Sequence, residues 1–125
     1  MVDVQDVRWA ALSLPETTER SSYGMPSFQV RDKLFARIRE QGDAVVVWCA
    51  NETVKHTMAT SDPTKFCTTP QYDGYPMVLV RLEAVNVTEV SQLLSNSWRL
   101  RAPANLVAAA DAFAGQRSGP APPGF

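Results

Sequence analysis

The sequence predicts an α+β domain, an antiparallel sheet with helices packed on one face. Three observations carry this. The run 28–50, FQVRDKLFARIREQGDAVVVWCA, reads as three consecutive strands, with residues 28–39 alternating apolar and polar at the two-residue period of half-buried strands. The run 77–83, MVLVRLE, reads as a further strand, apolar on both faces over its first four residues. Stretches with helical spacing stand before, between and after these runs, an order that suits helices laid on an antiparallel sheet rather than alternating βα units. A chain of 125 residues makes one domain. We expect that domain over 1–114 and a disordered tail over 115–125, where Gly, Pro and Ser dominate.

The first helix is expected over 2–14. Val4, Val7, Ala11 and Leu14 recur at three- and four-residue steps, Asp3 suits the N-cap, and Pro15 closes the segment. Trp9 falls off this stripe. Residues 16–26 are polar, punctuated by Gly24 and Pro26, and read as a loop with at most a short extended piece at 21–23.

Three strands follow. Phe28, Val30, Leu34, Ala36 and Ile38 hold even positions; Gln29, Arg31, Lys33, Arg37 and Arg39 hold odd ones, and Phe35 is the only apolar exception. Keeping that parity through the first turn demands a three-residue loop, Arg31-Asp32-Lys33, because a two-residue loop would exchange the faces. Gln41-Gly42-Asp43 makes the second turn. The strand at 44–50 is apolar on both faces, which places it centrally in the sheet.

Residues 51–61 read as a second helix capped by Asn51, and 65–69 as a short strand. A turn-rich loop at 70–76 leads to the strand 77–83, with Val78, Val80 and Leu82 on one face and Met77, Leu79 and Arg81 on the other. A third helix, with Thr88 as N-cap, carries Val90, Leu93, Leu94 and Trp98 on one stripe. Pro103 opens a fourth, with Leu106, Val107, Ala110 and Phe113 inward.

Twelve Lys and Arg against thirteen Asp and Glu leave no overall basic charge to attract a polyanion, so such binding would need local clustering. Cys49 and Cys67 form neither a disulfide framework nor a zinc motif. Asp3 and Asp6 do not suit a signal peptide, and the apolar run 44–50 is too short to span a bilayer; the expectation is a soluble cytoplasmic protein without cofactor or metal. His56, the sole histidine, has no convergent partner in sequence and reads as a structural residue. Cys49 reads as a small core hydrophobe, and Cys67 has no visible base beside it. No catalytic residue is expected.

Two surfaces remain as candidates. The odd-numbered hairpin face brings together Arg31, Lys33, Arg37 and Arg39, with Arg81 joining from the later strand. It can contact phosphates with Phe35 or Trp48 as an aromatic platform, or it is simply a solvated sheet face whose charges discourage edge pairing. The loop TTPQYDGY, 68–75, offers Tyr72 and Tyr75 as amphipathic contact points beside the Trp48 strand, or as plugs at the edge of the core.

A set of short motifs in fixed order resembles the MmcQ/YjbR family of small, mostly bacterial proteins. These are Leu14-Pro15-Glu16-Thr17-Thr18-Glu19, Val30-Arg31-Asp32-Lys33-Leu34-Phe35-Ala36, Thr64-Lys65-Phe66, Tyr72-Asp73-Gly74-Tyr75-Pro76, Val78-Leu79-Val80-Arg81-Leu82 and Ser97-Trp98-Arg99-Leu100-Arg101-Ala102-Pro103. The resemblance covers about residues 3–113. It implies a CyaY-like (frataxin-like) fold and DNA contact through a double wing of hairpins. Where some relatives have basic residues and a histidine before the last strand, this chain has Gln71, Tyr72, Asp73 and Tyr75. Its first helix also lacks the dense acidic ridge that a frataxin-like metal role would want. Two functions are therefore in view: a non-enzymatic binding protein that contacts DNA through the basic hairpin face, and a protein-interaction or small-ligand module built on the Tyr72/Tyr75 loop and the Trp48 strand.

Overall fold

Pairing of every strand with its neighbour is antiparallel, in one six-stranded sheet of order β1-β2-β3-β4-β6-β5. The computed structural model describes residues 2–22 and 24–118, with the backbone alone for Ser22 and 113–118. The elements are α1 (Val4–Leu12), β1 (Thr17–Ser22), β2 (Met25–Val30), β3 (Lys33–Ile38), β4 (Ala44–Trp48), α2 (Glu52–Ser61), β5 (Phe66–Cys67), β6 (Met77–Arg81), α3 (Val87–Arg101) and α4 (Ala104–Ser118). Short 3-10 turns occupy Pro70–Tyr72 and Leu82–Ala84.

Local chemistry explains the helix starts. Asp3 and Asp6 exchange side-chain and backbone hydrogen bonds in a capping box at α1. Val2 and Val7 flank that box, and both are buried in the main core, as a hydrophobic staple requires. At α3 the cap is Asn86, two residues before the expected Thr88, and Glu89 completes the reciprocal pair. Asn51 caps α2 by accepting from the Val54 amide at 2.9 Å. The fourth helix carries on through Gly115 to Ser118, past the expected start of the tail; residues 119–125 lie outside the described residues, as does Tyr23.

The main core lies between the sheet and the helices. Phe28, Val30, Ile38, Val45, Val47, Val78, Val80 and Leu82 from the sheet meet Val7, Ala11, Val90, Leu94, Trp98 and Leu106. Trp98 is buried, and its indole Nε1 donates to the Pro15 carbonyl at 3.0 Å, which ties the end of α3 to the chain just after α1. The expected parity of the last strand holds: Met77 and Leu79 join a second, smaller cluster on the other sheet face with Ala44, Val46 and Tyr72. That double covering makes β4 a central strand, as its apolar composition requires.

Two expectations about the sheet are also corrected. Residues 17–22, read as loop, form β1. Thr17-Thr18-Glu19-Arg20-Ser21-Ser22 carries no apolar alternation because β1 is an edge strand, held by pairing to β2 and by the two hydrogen bonds Arg8 of α1 makes to Glu19 at 2.8 and 2.7 Å. The β2–β3 turn has two residues, not three. Val30 pairs with Lys33, and Arg31 and Asp32 both adopt positive φ (46° and 68°), the geometry of a type I′ hairpin. Parity is restored by a β-bulge: Phe28 faces Ala36 while Gln29 faces Leu34, so Phe35 is the extra residue. Phe35 and Ala36 both turn toward the main core, and Leu34 moves to the second cluster. The lone exception in the alternation marks the bulge.

Candidate functional site

The register disperses the basic residues that the alternation places together. Lys33 shares a face with Val30, hence the helix side of the sheet, whereas Arg37 is paired with Ser27 and faces the other way. Arg31 sits in the turn and donates to both carboxylate oxygens of Glu16 at 2.6 and 3.0 Å. That pairing lowers the Glu16 pKa and raises that of Arg31, the side-chain hydrogen bond being the main cause. Arg37 is only 7% exposed, and its Nη1 donates to the Tyr72 hydroxyl at 2.9 Å. Arg39 lies 3.7 Å from Asp43, and Arg81, across from Ala44, is exposed on the second face. Of the five, Arg37, Arg39 and Arg81 share a face; Lys33 and Arg31 do not join them.

Tyr72 and Tyr75 also part company. Tyr72 is buried and plugs the second cluster, while Tyr75 is exposed. The residue that holds their loop escapes sequence reading. Lys55 of α2 is buried, and its ammonium donates to the backbone carbonyls of Tyr72 at 2.7 Å and Tyr75 at 2.8 Å. A lysine in a helix of modest apolar content carries no mark of burial; the signal exists only in the two carbonyls that meet it.

The Trp48 strand ends in an apolar hollow. A cleft of about 350 Å³ opens between α2 and α3, lined by Trp48, Cys49, Val54, Met58, Leu93 and Leu100 among others. Its floor is rigid: the Ser97 hydroxyl donates to the Trp48 carbonyl at 2.7 Å, and the Arg101 guanidinium lies 3.8 Å from the centre of the Trp48 ring while its Nε donates to the Leu34 carbonyl. Val54 and Leu100 stand exposed at its mouth.

Cys49 has the setting expected of a small hydrophobe. Burial pushes its thiol up to about 11, an effect that Lys55 opposes and Glu52 reinforces; the thiol points at the Met58 sulfur 3.9 Å away. It keeps its proton at neutral pH and is a poor nucleophile. His56 is exposed on α2 beside a polar hollow that also includes Glu52, Thr68 and Asp73, and its ring makes no hydrogen bond among the described residues. Cys67 is half-buried against the second cluster. No helix of the described residues is long and apolar enough to cross a membrane.

Three comparisons bear on this geometry. The Deinococcus radiodurans protein DR2400, whose crystal structure carries a DUF419 domain, superposes with a TM-score of 0.66 at 19% identity, over 80% of this chain and 78% of that one; at this identity the likeness is one of fold. Uncharacterised proteins of Mycobacterium tuberculosis (Rv2570) and Mycobacterium bovis (Mb2600) are each 41% identical over 68 residues, 54% of this chain. The chain spans about half the length of these curated relatives (53%). The YjbR family model matches residues 12–100, the stretch from the end of α1 into α3 that builds the sheet and the walls of the cleft between α2 and α3, and the chain belongs to the YjbR family.

Proposed function

We propose that this YjbR-family chain is a non-catalytic binding protein whose ligand is a small, mostly apolar molecule held between α2 and α3. The observation that carries the reading is the cleft at the end of β4: its volume of about 350 Å³ falls within the range of small-molecule sites, its lining is chiefly apolar, and Asn96 stands at its wall to orient a polar end. The protonated Cys49 thiol and the exposed His56 supply no activated nucleophile there. The side-by-side packing of α1 and α3 on one face of an antiparallel sheet supports the CyaY-like (frataxin-like) assignment of the fold. Duplex DNA on the β2–β3 hairpin is the competing reading. It rests on exposed Lys33 and Arg31 at the hairpin tip, where Glu16 and Asp32 offset the charge.

Binding of small aromatic fragments, indole among them, followed by amide chemical shifts, tests the proposal. Shifts should converge on Trp48, Cys49, Val54, Leu93 and Leu100 and disappear in Ala50→Trp, which fills the mouth from an exposed position. Fragment shifts that ignore Ala50→Trp, or salt-sensitive duplex binding lost in Lys33→Ala with the cleft resonances unmoved, would overturn it.

A further inference from the structure

The sequence that follows α4 suits the cleft between α2 and α3. Residues 119–125, Gly119-Pro120-Ala121-Pro122-Pro123-Gly124-Phe125, carry no charged side chain, and Phe125 is their one large apolar group. Three of these residues are prolines, which have no backbone N–H to desolvate and, with φ already fixed, lose little entropy on binding. The cleft matches such an occupant. It holds about 350 Å³ and is lined by Cys49, Met58 and Leu93. It offers few polar groups to a guest, since the Ser97 hydroxyl is spent on the Trp48 carbonyl and Arg99 on Asp111.

The same ion pair brings that segment within reach. Arg99 lines the cleft and donates to both carboxylate oxygens of Asp111 at 2.5 and 2.8 Å, so α4 is pinned beside the cleft at residue 111. From Asp111 to Ser118 the helix advances about 10 Å. Residues 119–125 span about 22 Å in polyproline geometry, and Gly119 suits the reversal at the helix end. The surplus of about 12 Å exceeds the length of the Arg99 side chain, so Phe125 comes back to the cleft even from the far end of α4.

We propose that residues 119–125 occupy the α2–α3 cleft of their own chain, with the Phe125 ring against Met58 and Leu93 and the prolines across Val54 and Leu100 at the mouth. The tether sets an effective concentration in the millimolar range, enough for one aromatic ring to hold the cleft without a large interface. The sulfurs of Met58 and Cys49 add favourable contacts to the ring edge. The proposal rests on the reading above in taking this cleft as a receptor for apolar groups. It adds regulation: a small ligand enters only by displacing the chain's own phenylalanine.

The test compares the full chain with its Phe125→Asp variant by amide and methyl resonances; the substitution leaves every residue of both core clusters unchanged. In the parent, Phe125 ring protons should show nuclear Overhauser contacts to the methyl groups of Met58 and Leu93. The variant should shift the amides of Cys49, Val54, Leu93 and Leu100 and, beyond its own segment, no other surface. Indole affinity should rise about threefold in the variant, the gain from freeing a cleft that is about two-thirds self-occupied. Both differences should vanish in an Ala50→Trp background. Cleft amides that keep their parent positions in Phe125→Asp, with indole binding both chains equally, would overturn the proposal and leave the small-molecule reading standing. Overhauser contacts without indole binding in either chain would support the proposal and defeat that reading instead. Contacts that fade on dilution would overturn it by assigning the cleft to the segment of a second copy.

Discussion

Replacing Lys55 by Met tests whether one buried ammonium holds the Tyr72–Tyr75 loop in place. Lys55 is 5% exposed, and its Nζ reaches the Tyr72 and Tyr75 carbonyls at 2.7 and 2.8 Å, with Glu52 at the edge of ion-pair range, 4.0 Å. Methionine keeps the length and apolar stem of the side chain, so cavity formation contributes little. What is lost is two hydrogen bonds from a charged donor, each worth roughly 1.5–3 kcal/mol. The two share one ammonium, and removing it also removes that group's desolvation cost, so the net loss is about 2–3 kcal/mol rather than the sum. With a urea slope of about 1.5 kcal/mol per molar for a domain of this size, the unfolding midpoint should fall by about 1.5–2 M. Protease cleavage within 70–76 should accelerate before global unfolding, because the tether is local. A midpoint within about 0.3 M of the parent, together with an unchanged cleavage rate, would refute the reasoning, since at that slope the tether would be worth less than one ordinary hydrogen bond.

Two further outcomes follow from the same geometry. Asp32→Gly should raise stability by about 0.5–1 kcal/mol, seen as a Tm increase of about 2–4 °C, because position 32 sits at φ 68° in a type I′ turn that favours glycine. The Arg20–Asp32 pair it sacrifices is largely exposed and worth little; a lowered Tm would contradict the turn assignment. The second concerns pH. The Lys65 hydrogen bond, with the Asn86 amide next, holds the Glu89 carboxyl below its ordinary value of 4.5. A depressed folded pKa means the unfolded chain takes up the proton more readily, so this stability is present above pH 4.5 and lost as pH falls through the folded value. Glu16 beside Arg31 and Asp111 beside Arg99 carry the same sign. Urea midpoints measured down the acid range should therefore fall less steeply in Glu89→Gln than in the parent, and parallel curves would show that the pair has no folded-state preference.

Some of the fold is legible because local patterns and tertiary packing agree. The Asp3 and Asn51 caps, the two-faced strand at 44–48 and the parity of Val78, Val80 and Leu82 all follow from spacing, and each stands where the spacing puts it. The hairpin shows how a sound observation yields a wrong geometry. The need to keep Phe28, Val30, Ala36 and Ile38 on one face is real, but a bulge at Phe35 meets it as well as a longer turn does. With no glycine at 31 or 32, nothing local announces that both residues take left-handed backbone. The β1 strand illustrates a different limit: an edge strand with one neighbour has no obligation to be apolar, so TTERSS carries no strand signal.

The candidate site was harder to read than the fold. Tyr72 and Tyr75 look alike in a loop of turn formers, yet one is core and the other surface, a distinction made by how the chain folds back over Val46 and Leu79. Alternating arginines look like a continuous basic face, and the single-residue shift at Phe35 is enough to send Lys33 to the opposite side from Arg37. Lys55 does not stand out in sequence, since what distinguishes it is the pair of backbone carbonyls it meets in space.

By itself the sequence determined the α+β class, the order of the helices and of the strands other than β1, and most residues of the main core, because periodicity records which side of each element is dry. Tertiary structure alone decided which cations share a face, which tyrosine is buried and where the apolar cleft opens. Those depend on register and on residues far apart in the chain meeting across the sheet, and a one-residue bulge changes them without changing the composition of any element.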